Sequence, residues 1–174
     1  MFNLFKKVKA RPTVVDKVWS SKQAKWNACQ QMLAVNPSCL FAAWFQETKE
    51  ELEKSLGATV RLAGDLSASD VAGNMIVFVE HHPFWKKEQA VFTRLGLVEV
   101  PVLSALDDPL MTYFGGEKVI ELMKTLGMKE DESVGNKWVV RSIRNAQQKI
   151  QDKVEVEKPA RSQAEWFSLN LPRK

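Results

Sequence analysis

Seven consecutive apolar residues, Cys39-Leu-Phe-Ala-Ala-Trp-Phe45, and a second run at Met75-Ile-Val-Phe-Val79 constrain this chain more than any other feature. A strand with one wet face alternates apolar and polar residues. An unbroken run needs apolar cover on both faces, which a parallel sheet wrapped by helices provides. A buried helix carries the same pattern, so the flanking residues must arbitrate. Ser20 or Ser21 can cap a helix running to about Val35, with Asn36-Pro37 as its stop, and Thr48 with Glu51 reads as a capping box for a short helix ending at Gly57. Thr59–Ala63 is a modest strand, Ser67 and Asp70 bracket a helical turn, Glu88–Leu95 is a helix closed by Gly96, and Leu97–Leu103 is a further strand. Thr13–Trp19 is a short extended piece. The rhythm predicts an α/β fold, a parallel sheet flanked by helices with right-handed crossovers.

After Leu103 the pattern turns helical. Asp107-Asp108-Pro109 starts a short helix to Phe114, Gly116-Glu117 opens another to Leu126, and Gly127 stops it. A long helix is expected from about Asn136 to Val154, where Val139, Ile143, Ala146, Ile150 and Val154 recur at spacings of three and four. The chain therefore reads as a basic amphipathic segment (1–12, ended by Arg11-Pro12), a single α/β domain with C-terminal helices (13–154) and a tail (155–174).

The net charge of +4 is unevenly placed, because the first 25 residues carry seven basic groups and only one acid. A basic end on a nearly neutral body points to a local contact with phosphate, an acidic partner or anionic lipid; nucleic acid is not expected. Phe2, Leu4, Phe5 and Val8 interleave with Lys6, Lys7 and Lys9, the makeup of a short interfacial helix, which marks the three lysines as candidate lipid or anion contacts. The other reading is that these phenylalanines tuck onto the domain. The two cysteines, Cys29 and Cys39, read as reduced thiols, and no apolar run approaches the roughly 20 residues of a membrane span. The cytoplasm, with at most peripheral membrane contact, is the expected location.

Motifs that would carry chemistry are sparse. No glycine falls in either standard phosphate-binding fingerprint; Gly115-Gly116-Glu117-Lys118 comes nearest, and its glycines also suit a helix stop and turn. Glu80, His81 and His82 are consecutive and hold both histidines of the chain, which raises a hydrolase or metal site as an alternative. Adjacent residues in an extended segment point to opposite sides, so ordinary polar loop groups are the competing reading. No metal or cofactor is expected. Trp166-Phe167 either folds back onto the domain or serves as a docking peptide, and Lys137, Arg141, Arg144 and Gln148 form a polar stripe, solvated or in contact with phosphate.

Residues 103–153 are more specific. Leu103-Ser-Ala-Leu-Asp-Asp-Pro-Leu-Met-Thr-Tyr-Phe-Gly-Gly-Glu-Lys-Val-Ile-Glu-Leu-Met-Lys-Thr-Leu-Gly-Met128, then Glu132-Ser-Val134 and Val139-Val-Arg-Ser-Ile-Arg-Asn-Ala-Gln-Gln-Lys-Ile150, strongly resemble the preprotein translocase ATPase SecA. The resembling stretch is where the second nucleotide-binding-fold half of that motor ends and its helical scaffold begins. Residues 14–103 resemble the same half in the order of strands and helices. The resemblance implies a RecA-like second helicase half and a role accessory to protein export. The sequence departs from the family at its ATPase motifs: Gln89-Ala-Val-Phe-Thr-Arg-Leu-Gly96 and Gly73-Asn-Met-Ile-Val-Phe78 stand where the arginine-rich and Ala-Gly-Arg-Gly-Thr-Asp motifs would be. Arg94, with Gly115 and Gly116, is left as the candidate nucleotide contact. The expectation is a non-catalytic interaction module, with Asp107, Asp108, Phe114, Arg141, Arg144 and Trp166 as its partner surface and export machinery as its partner; a vestigial nucleotide-binding regulatory domain is the alternative.

Overall fold

A computed structural model of the protein describes residues 11–171 apart from Leu126. The basic segment with Lys6, Lys7 and Lys9 therefore lies outside the described residues, except for Arg11 and Pro12. Strands β1 (Thr13–Trp19), β2 (Cys39–Ala43), β3 (Arg61–Leu62), β4 (Met75–Phe78) and β5 (Glu99–Ala105) form one parallel sheet in the order β1-β5-β4-β2-β3. The expected α/β class is what the chain adopts, consistent with a RecA-like half. Helices α1 (Lys22–Val35) and α2 (Gln46–Leu56) cover one face, packing Trp26, Cys29 and Leu52 on Phe41, Val77, Val79 and Leu103. The short α3 (Ala68–Val71) and α4 (Trp85–Arg94) follow β3 and β4, and Phe92 of α4 packs on Phe78, Val100 and Val102 on the opposite face. Both apolar runs are thus covered on two sides, as their composition requires.

Local signals set most helix ends. The Ser21 hydroxyl accepts the Ala24 N–H at the start of α1, Ser67 and Asp70 cap α3 reciprocally, and Gly57 closes α2 in the left-handed conformation. The Thr48–Glu51 box does not form: α2 begins at Gln46, which puts Thr48 in the first turn, and its hydroxyl donates to Glu80.

Beyond the carboxyl ends of the strands, α5 (Pro109–Tyr113), α6 (Gly116–Thr125), α7 (Lys137–Gln151) and α8 (Gln163–Asn170) build a third cluster on Val18, Phe45 and Leu106. Val134 pairs with Val18 through two backbone hydrogen bonds of 2.8 Å, tying the α6–α7 loop to β1. Gly135 permits this approach, since a Cβ there would lie 2.5 Å from the Asp16 carbonyl oxygen. The stretch expected as a tail from residue 155 instead contains α8, whose Trp166 and Phe167 are buried against α5 and the 80–84 segment. Two adjacent large aromatics have more to gain from cover than from solvent.

Candidate functional site

In an open parallel sheet the ligand crevice lies outside the strand carboxyl ends, where consecutive connections run in opposite directions. Here that point falls between β2 and β4, since the chain leaves β2 for β3 on one side and β4 for β5 on the other. Glu80 follows β4 and closes the crevice: its Oε1 accepts the Trp44 and Phe45 N–H groups at 2.8 and 3.0 Å, and its Oε2 accepts the Thr48 hydroxyl at 2.8 Å. The carboxylate thereby occupies the N-terminus of α2, where a bound anion would sit. Burial pushes its pKa up to about 7, against the opposing pull of Thr48, Lys25 and the Phe45 amide.

A second internal carboxylate lies just before the neighbouring helix. Asp108, the residue before α5, accepts from Lys25 Nζ at 2.8 and 2.9 Å and from the Ala105 N–H at 2.8 Å, while Lys25 also donates to the Val79 carbonyl. Lys25 is fully buried and lies 4.9 Å from the Trp26 ring centroid.

His81 and His82 leave the backbone in different directions. His81 is held between Asp16 (Nε2 to Oδ1, 2.6 Å) and Glu88 (Nδ1 to Oε1, 2.8 Å). A neutral imidazole has only one N–H, so two carboxylate contacts call for the imidazolium. Burial opposes that charge, but Glu88 and Asp16 together hold the His81 pKa well above its ordinary value. His82 lies among Trp44, Phe45, Phe84 and Trp166; its Nδ1 accepts the Phe84 N–H, which leaves the proton on Nε2 facing Glu157 at 3.3 Å. Burial would raise the Glu157 pKa, yet donors on His82, Lys87 and Trp166 bring it down to about 2.

The consecutive Glu80, His81 and His82 therefore serve three separate sets of partners, and among the described residues no cluster of His, Cys, Asp and Glu has the arrangement of a metal site. They do not form the one shared site of the first reading; they are polar groups of the segment after β4, and they are buried. They anchor the C-terminal helices: Gln163 of α8 donates to the His81 carbonyl and accepts the Leu110 N–H, and Gln147 of α7 donates to the His82 carbonyl and to Glu88.

An open apolar feature lies elsewhere. A groove of about 420 Å³ runs between α5, α6 and α7, lined by Leu110, Met111, Phe114, Val119, Met123, Trp138 and Ile143, among others. Trp138 is 78% exposed and Phe114 42%. Gly116 forms part of its floor, where a Cβ would meet the Leu106 carbonyl oxygen at 2.5 Å, so this glycine serves a close helix packing.

The residues expected from sequence divide accordingly. Phe114 lies at the groove, Asp107 and Arg141 are exposed, and Arg144 stacks 3.5 Å from the Trp85 ring centroid. Asp108 and Trp166, expected on the partner surface, are instead internal: Asp108 pairs with Lys25, and Trp166, only 1% exposed, donates its indole N–H to Glu157. Arg94 donates to the Leu66 carbonyl at 2.7 Å, while Gly115 lies in the α5–α6 turn and Gly116 opens α6, and no described cavity brings the three together. Trp138 was missed as a site residue. Its signal was available in the strong amphipathicity of α7, where it stands outside the apolar 139-143-146-150 series.

No family model matches the chain. Over 49 residues, 28% of the chain and 5% of the relative, it is 49% identical to the protein translocase subunit SecA of Acidithiobacillus ferrooxidans. Longer matches to the same subunit are 32% identical over 110 residues in Brachyspira hyodysenteriae (60% of the chain, 11% of the relative) and 31% identical over 113 residues in Sorangium cellulosum (63% and 11%). The chain thus matches only 5–11% of the length of these relatives. As much as 63% of it is similar to SecA, consistent with a fragment resembling the C-terminal half of that protein's motor.

Proposed function

We propose that this chain is a non-catalytic, SecA-like interaction module that serves protein export from the cytoplasm and engages a component of the export machinery through the α5–α7 face. The observation that carries this reading is the apolar groove with Trp138 and Phe114 at its mouth, formed by the segment in which the resemblance to SecA is densest. The non-catalytic part is supported by the strand-end crevice, where Glu80 takes the amides at the start of α2 that a phosphate would use and Asp108 is committed to Lys25 and the Ala105 N–H. Among the described residues no helix is long and apolar enough to cross a membrane.

The test places the photocrosslinking residue p-benzoylphenylalanine at Trp138 and, as a control remote in sequence, at the exposed Val35, in lysate of the native host. Export components recovered from position 138 and not from 35 are the expected outcome. Equal recovery at both positions, or adducts free of export components, would sink the reading. Calorimetric titration with ATP and Mg²⁺ is expected to give no saturable heat; heat that Arg94→Ala weakens would instead favour the nucleotide-binding alternative.

A further inference from the structure

We propose that the cavity between β1 and α7 binds a free aliphatic α-amino acid, with its ammonium group on Asp16, its carboxylate on Arg144 and Arg11, and its side chain against Val14, Val140 and Ile143. This cavity shares only Ile143 with the α5–α7 groove, and the inference does not depend on that groove having a partner.

Two periodicities build the walls. Side chains two apart on a strand share a face, and Val14 and Asp16 of β1 line the cavity together. Val140, Ile143, Arg144 and Gln147 recur at spacings of three and four and bring one stripe of α7 to the same cavity. His81 and Glu88 complete the lining from the segment that follows β4. The volume of about 300 Å³ is at the small end of ligand cavities, with room for a single amino acid.

The two carboxylates that hold His81 are used unequally. Glu88 is occupied on both oxygens: Oε1 accepts from His81 and from the His82 N–H, and Oε2 accepts the Gln147 amide at 2.9 Å. Asp16, only 3% exposed, gives Oδ1 to His81 at 2.6 Å, and its Oδ2 has no hydrogen-bond partner among the described residues. A buried carboxylate oxygen without a donor is costly, and an ammonium group entering the cavity would satisfy it with a charge-assisted bond. His81 has no N–H left for a ligand; its part is to fix Asp16.

The cations opposite are equally uncommitted. Arg144 is half-buried and stacked on Trp85 at 3.5 Å, and neither it nor the exposed Arg11 makes an ion pair or side-chain hydrogen bond with a described residue. Burial lowers the Arg144 pKa against the attraction of Glu88, so its charge gains from an anion. Stacking fixes the planar guanidinium, whose fork matches a carboxylate. Counting the His81 imidazolium, three cations and two carboxylates line the cavity. That balance disfavours a ligand that is only a cation, and buried Asp16 disfavours one that is only an anion. A zwitterion answers both, and the three aliphatic side chains select an aliphatic one.

The test is isothermal titration calorimetry of the purified full chain with L-leucine as the probe, which should give saturable heat and a Kd below about 1 mM. L-Leucinamide, which lacks the carboxylate, and N-acetyl-L-leucine, which lacks the ammonium, should each bind at least tenfold more weakly. Arg144→Gln should weaken leucine binding at least tenfold. Asp16→Asn should weaken leucine and leave N-acetyl-leucine unchanged, with a circular dichroism spectrum like that of the wild type; if that variant fails to fold, Arg144→Gln decides. No saturable heat from L-leucine up to about 20 mM would overturn the proposal. So would N-acetyl-leucine or inorganic phosphate binding as tightly as leucine, or a leucine affinity unchanged by Arg144→Gln.

Discussion

The strand-end seam and the α5–α7 groove adjoin each other and are built on opposite terms. The seam holds the residues that usually carry chemistry, Glu80, His81, His82, Lys25 and Asp108, and every one of them is buried and engaged by other protein groups. The groove is made of unreactive side chains, and it is open. A titratable cluster at the ligand edge of a sheet can thus be a clasp, while the surface free to meet a partner is marked only by misplaced apolar area.

The comparison breaks most visibly if the clasp is cut. Asp108→Ala leaves the Lys25 ammonium buried without its anion and should cost about 3–5 kcal/mol in urea denaturation. Trp166→Ala, which empties the site under α8, should cost about 3–5 kcal/mol by the same measurement. The double variant Lys25→Met/Asp108→Leu should recover at least half of the Asp108→Ala loss, because an apolar pair needs no counter-charge. No recovery would mean that Asp108 acts mainly by capping the Ala105 N–H.

The clasp should also make stability depend on pH with a defined sign. The folded pKa of Glu80 is raised from 4.5 to about 7, so the folded state holds its proton more tightly; that contribution is full below pH 4.5 and is lost as pH rises through about 7. The raised His81 pKa acts in the same sense but higher, full below pH 6.5 and lost as pH rises through its folded value. Glu157, lowered from 4.5 to about 2, works the other way: its contribution is present above pH 4.5 and lost as pH falls through about 2. Urea midpoints of the wild type and Glu80→Gln between pH 4.5 and 7 should separate the first effect. The wild type should lose on the order of 1–3 kcal/mol across that window, and the variant should show a smaller slope. Equal slopes would assign the dependence to other groups.

What the sequence disclosed follows the range of each interaction. Ser21, one of two candidates with Ser20, and Ser67 with Asp70 were legible as caps because each bond spans only three residues. The apolar runs at 39–45 and 75–79 announced a parallel sheet because burial on both faces is written into composition. Thr48 misled because its partner, Glu80, is 32 residues distant. The seam was unreadable for the same reason: Gln163 reaches the His81 carbonyl across 82 positions, and Gln147 reaches Glu88 across 59. Asp108 was misread as a surface group, since an Asp-Asp-Pro helix start looks alike whether its carboxylate meets water or a buried lysine. The groove could not be located without knowing how α5, α6 and α7 pack, although an isolated Trp138 on an amphipathic helix was a visible hint.

The smallest expected effect on stability is the sharpest test of the contrast, because it sets one tryptophan against another. Trp138 exposes 78% of its surface and makes no side-chain hydrogen bond to the described residues, so Trp138→Ser should change the unfolding free energy measured in urea by no more than about 0.5 kcal/mol. The same change removes the largest exposed side chain at the groove mouth. An aromatic anchor at the centre of a docking site typically contributes 2 kcal/mol or more, so partner capture through a crosslinker at the neighbouring Phe114 should fall at least tenfold. If Trp138→Ser instead destabilised the fold as severely as Trp166→Ala, the groove would be part of the core and the division between a closed seam and an open face would fail. A neutral substitution that abolishes capture would place the contact at α7 and leave the buried histidines and carboxylates with a purely architectural part.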